Sequence, residues 1–98
     1  MAETVSHTSL SKHSAPFSLN GGMYQANVSG TIQHGSEAIE LQRLVNGSFV
    51  QLDPPVRFLA NEIGGSKATG VLPAGTYRWT VPQSMLGNHS INTNVVHT

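Results

Sequence analysis

The chain has 98 residues, in which five Lys plus Arg balance five Asp plus Glu, and it contains no cysteine. That length accommodates one small domain. The charge balance removes the basic footprint that phosphate-dominated nucleic-acid binding requires, and the missing thiols exclude disulfides and thiolate metal sites.

No window approaches 18 consecutive apolar residues, so no membrane span is expected. The opening MAETVSHTSLSKHSAPF lacks the apolar centre of a secretory signal, which predicts a protein kept in a cytoplasm or assembled there into something larger. Charges are unevenly placed: Glu3 and Lys12 are the only ones before Glu37, and Arg78 is the last. Both ends are polar but uncharged and read as segments able to lie against a protein surface.

In chain order, residues 1–21 hold Pro16 and five serines without sustained period, and read as an extended arm before a domain of residues 22–98. From Met23 the pattern changes. Tyr24, Ala26, Val28, Gly30 and Ile32 occupy one face at period two, and Gln25, Asn27, Ser29 and Thr31 the other, which predicts a strand. A turn at Gly35-Ser36 leads into Ala38 to Val45, with Ile39 and Leu41 on the apolar face.

Asn46-Gly47 is the strongest short hairpin signal, because both central positions of a type I′ turn need positive φ. A two-residue loop pairs Val45 with Ser48, Arg43 with Val50 and Leu41 with Leu52. That register predicts Leu41, Val50 and Leu52 in the core and Arg43 at its rim. Asp53-Pro54-Pro55 should end the ribbon, since proline cannot donate to a ladder. Val56 to Ile63 reads as a short strand, Gly64-Gly65 as punctuation and Lys67 to Leu72 as another strand.

The stretch GVLPAGTYRWTVP, residues 70–82, places a turn on Pro73 and Gly75. Tyr77, Trp79 and Val81 then share one face, with Thr76, Arg78 and Thr80 on the other. Trp79, the single tryptophan, reads as a core anchor because large aromatics dominate core burial. Pro82 ends that strand, Met85 to Asn88 form a loop, and Ile91, Thr93 and Val95 alternate in a last strand. Seven short strands with Gly and Pro turns predict an all-β, immunoglobulin-like antiparallel sandwich.

The residues that could carry chemistry are scattered. His7, His13, His34, His89 and His97 make no short paired spacing typical of a metal site. Glu37 and Glu40 have opposite strand parity and do not share a face. No Gly-x-Ser-x-Gly elbow occurs, and Gly64-Gly65-Ser66-Lys67 lacks the spacing of a phosphate-cradling loop. The Asn-x-Ser triplets at Asn27, Asn46 and Asn88 would matter only in a secreted eukaryotic protein. The expectation is a non-enzymatic protein without metal or cofactor.

Two stretches, VSGTIQHGSEAIELQRLVNGSFVQLDPP (28–55) and GVLPAGTYRWTV (70–81), carry a recognisable pattern. Its parts are a V-x-G-x strand at Val28 to Thr31, a V-x-L-Q type strand at Ile39 to Gln42, a turn and strand over Asn46 to Leu52, and an LPAG-x-Y-R run over Leu72 to Arg78. The pattern resembles the small all-β virion proteins encoded in tailed-bacteriophage structural gene clusters, across about residues 23–82. Asn46 replaces the more usual Asp, which is neutral for the turn.

The resemblance implies a capsid decoration (cement) protein or head-fibre base on the virion surface. Its partners would be the major capsid protein and other copies of itself, with neither nucleic acid nor membrane involved. In that setting the arm residues Leu10, Pro16, Phe17 and Leu19 are the expected capsid or subunit contacts, adding strand pairing and apolar burial. A carbohydrate-binding or host-attachment module is the alternative, and it would gain support from an exposed Trp79 on a flat sheet face.

Overall fold

A computed structural model describes residues 4–10, 13–31, 38–81 and 90–98. The Gly35-Ser36 turn, Ile32, the strand end at Pro82 and the Met85 to Asn88 loop lie outside the described residues, as do Glu3, Lys12, His34, Glu37 and His89. The strands are β1 (Thr4–Leu10), β2 (Phe17–Leu19), β3 (Gly22–Thr31), β4 (Ala38–Val45), β5 (Ser48–Leu59), β6 (Ser66–Leu72), β7 (Gly75–Thr80) and β8 (Ser90–His97). The segment expected as a strand over 56–63 ends at Leu59, and a 3₁₀ turn, Ala60–Glu62, follows it.

Two antiparallel sheets of four strands pack face to face, ordered β1-β8-β3-β6 and β2-β7-β4-β5. The all-β sandwich agrees with the sequence reading, but its wiring differs from an immunoglobulin domain. Consecutive strands switch sheets at every step except the β4–β5 hairpin, which is the connectivity of an eight-stranded jelly roll. An immunoglobulin constant-type sandwich instead keeps A, B, E and D in one sheet against C, F and G.

The arm is the main correction. Residues 4–19 carry two strands that each form an edge of a different sheet. Thr4 to His7 pair with Val96 to Thr93 of β8, and Phe17 to Leu19 pair with Tyr77 to Gly75 of β7. The contact continues toward the chain start, where the Ser14 amide donates to the Trp79 carbonyl at 2.9 Å. The Trp79 and Val81 amides donate to Ser14 Oγ at 2.9 Å and His13 Nδ1 at 3.0 Å. Leu19 is buried in the core, Val5, Leu10 and Phe17 pack against it half-buried, and Pro16 is exposed.

Burial follows the alternation in most strands. Tyr24, Ala26 and Val28 of β3, Ile39 and Leu41 of β4, Tyr77 and Trp79 of β7, Val81 just beyond it, and Ile91 and Val95 of β8 make the core with Val56, Phe58 and Leu72. Trp79 is fully enclosed, with its ring 6.3 Å from that of Phe58. Tyr77 Oη donates to the Pro73 carbonyl at 2.6 Å, tying the buried ring to the link that precedes its strand.

The hairpin turn has Asn46 at φ 51° and Gly47 at φ 82°. Pairing from Val45–Ser48 to Arg43–Val50 follows the expected register, but it shifts after Gln42–Gln51, and Leu41 meets Val56 instead of Leu52. Residues 52–55 form the bulge, because the two prolines cannot donate to a ladder. Val50 keeps the expected pairing with Arg43 but is 40% exposed and not core, and Leu52, within the bulge, is only half-buried. The Pro73-Ala74 link carries the chain from one sheet to the other, and Gly75 is a strand residue paired with Leu19 that lacks a positive φ.

Candidate functional site

The two outer faces of the sandwich differ in chemistry. On the β2-β7-β4-β5 sheet, Glu40, Arg57 and Arg78 point outward, and Glu40 and Arg78 are occupied with neighbours. Gln42 and Gln51 donate to the Glu40 carboxylate at 3.1 and 2.7 Å. Arg78 donates to Gln42 Oε1 and lies over the Phe49 ring at 4.3 Å.

The outward side chains described on the β1-β8-β3-β6 sheet carry no charge. Strand register lays them out in rows. One row runs Ser6, Asn94, Asn27, Ser66 across all four strands, and the next runs Thr4, Val96, Gln25, Ala68. Asn27 Nδ2 donates to Asn94 Oδ1, and Gln25 Nε2 donates to Ser66 Oγ at 2.9 Å. Beyond β6, the Gly64 and Gly65 backbone bonds to Val28, which widens the sheet at that end. The polar end of the face is concave, with a groove of about 340 Å³ lined by Asn27, Asn92, Asn94, Ser6, Ser29 and Ser66, among others. The opposite end is apolar, with Met23 and Val71 exposed as register partners.

The expected contact residues lie elsewhere. Leu19 is buried in its own sandwich and is not available to a partner without opening the fold, Leu10 and Phe17 are half-buried against the same core, and Pro16 is exposed. Trp79 is buried, which removes it as a sugar-stacking platform. The sequence did assign Gln25, Asn27 and Ser29 to an outer face, as it did Asn92 and Asn94. Their adjacency was not readable, because the β3–β8 pairing joins residues 59 to 73 positions apart.

The described histidines do not converge. His7 faces inward with its ring 5.2 Å from Phe17, His97 meets the Tyr24 ring edge-on at 4.9 Å, and His13 accepts the Val81 amide. Burial holds the His7 imidazole below its ordinary pKa, and burial followed by the nearby Arg78 charge does the same to His13. Among the described residues no three His, Asp or Glu side chains gather as a metal site would require. Comparison with protein-family models, curated proteins and solved structures finds no match to this chain.

Proposed function

We propose that the chain is a non-enzymatic adhesive subunit of a tailed-bacteriophage virion, a capsid decoration (cement) protein that docks on the shell through the outer face of the β1-β8-β3-β6 sheet. Its place on a virion rests on the resemblance of residues 23–82. The mode of docking rests on one observation, the absence of charge among the described outward side chains of that face. The centres of protein interfaces are depleted in charged residues, because a charge removed from water without a partner is costly. A broad surface of amides, hydroxyls and exposed Met23 and Val71 avoids that cost.

The partner in this reading is the major capsid protein, with neighbouring copies adding avidity across a repetitive shell. β1 and β2 are paired into the two sheets as edge strands, which favours adhesion through a face over adhesion through a free arm.

The test is cosedimentation of the full chain with purified empty capsids of the phage that encodes it, beside an Asn94→Arg variant. A charge at the centre of the face should abolish binding while leaving thermal unfolding within a few degrees. Equal binding by both forms would remove the face from the mechanism. The groove of amides and hydroxyls also suits a neutral glycan. Binding to immobilised glycans by a chain that ignores capsids would favour that second reading.

A further inference from the structure

A second concavity lies on the flank between the edge strands β5 and β6, and it shares no residue with the polar groove. This flank is closed at one end. There Lys67 Nζ donates to the Arg57 carbonyl at 2.8 Å, pairs with Glu62 at 2.7 Å and stands 5.3 Å over the Phe58 ring. At the other end a cavity of about 320 Å³ opens between the two strands.

Its walls combine apolar side chains, Val45, Val50 and Leu52 on one side and Val71, Leu72 and Pro73 on the other, with the polar Arg43, Gln51, Asp53 and Thr69. Val50 and Val71 are 40% and 75% exposed, so its apolar rim faces solvent. Thr69, also in the wall, has its hydroxyl within bonding distance of the Tyr24 and Gly70 carbonyls.

The cationic group in this cavity is Arg43. It falls on the side of β4 that Ile39 and Leu41 bury, where a β-sandwich ordinarily places an apolar residue. Its Nε is buried and has no hydrogen-bond partner. A buried donor left unmade is expensive, and a guanidinium matches a carboxylate with two parallel bonds. Asp53 lines the same cavity without forming an ion pair with Arg43; among the described residues the ion pair is Lys67–Glu62.

We infer that this cavity binds a small monocarboxylate carried on an apolar body, with the carboxylate on the Arg43 guanidinium and the body between Val50 and Val71. A phosphate would need more donors than this single guanidinium, and a sugar would find no aromatic ring to stack on among the lining residues. The volume is at the small end of ligand pockets, which run from about 300 to 1,000 Å³.

The experiment titrates the full chain with sodium hexanoate and, separately, with 1-hexanol at constant ionic strength, following the Arg43 Nε–H and the Val50 and Val71 methyl signals by NMR. Hexanoate should move all three saturably and bind about tenfold or more tightly than hexanol, which should move only the methyls. Arg43→Met should erase the preference for hexanoate, and Asp53→Asn should strengthen hexanoate several-fold without changing hexanol. Equal binding of the two probes, or an Arg43 signal unmoved by hexanoate, would overturn the assignment. If Arg43→Met does not fold, the contrast between probes on the unaltered chain decides it.

Discussion

Val50 and Leu41 show that shared strand parity does not by itself fix burial. Alternation around the Asn46-Gly47 turn places both in the core, yet Leu41 is fully buried and Val50 is 40% exposed. Leu41→Ala should therefore cost about 2 to 5 kcal/mol, whereas Val50→Ser should stay within about 0.5 kcal/mol, both measured by urea unfolding. Tyr24, Ile39, Tyr77, Trp79 and Val81 were legible because their strands keep parity over several residues; Val50 was not, because its pairing with Arg43 is the expected one and its exposure comes from its place on the open flank between β5 and β6, which local pattern does not encode. His13 carries a further consequence. Its Nδ1 accepts the Val81 amide, and burial and Arg78 hold its pKa below the ordinary 6.5. The unfolded chain therefore binds more protons than the native one as pH falls below 6.5. Stability from this group is present above that pH and is lost as pH drops toward the lowered native value. The urea midpoint should fall between pH 7.5 and pH 5.5, and less steeply in His13→Gln; His7 acts in the same direction.

Among the elements, the β4–β5 hairpin is the one the sequence specified most directly. Gly47 sits at φ 82° with nothing within 4 Å of an added Cβ, so its requirement is conformational and not steric. Gly47→Ala should cost about 1 to 2 kcal/mol through the left-handed backbone alone, read as a lowered midpoint with an unchanged m-value. The strands β1 and β2 were not legible for a different reason. β2 is three residues long, and the register of β1 against β8 shifts between His7 and Leu10, so neither sustains a period of two. Only Val5 and Leu10 supply apolar side chains in β1, and the inward position between them is His7. A polar strand of this kind reads as a tail until its partner is known.

At the scale of the whole molecule, the sandwich itself was readable from seven alternating segments, but the jelly-roll wiring was not. The order β1-β8-β3-β6 depends on pairings between the two ends of the chain, which local pattern does not encode. Among the described residues, the same wiring gathers the polar alternate positions of four strands into one uncharged face and leaves charges on the other sheet and the flank. It also makes residues 4–10 and 13–19 part of the fold. Removing them strips Leu19, Phe17, Leu10 and Val5 from the core at about 1.5 to 3 kcal/mol for each side chain fully buried, against a total stability of roughly 5 to 15 kcal/mol. The decisive measurement is thermal unfolding of the full chain beside one lacking residues 1–20, with capsid cosedimentation of each. The account predicts that the truncated chain loses cooperative unfolding altogether. A truncated chain that melts cooperatively within a few degrees of the full one, while losing capsid binding, would contradict it and return the adhesive role to a free arm.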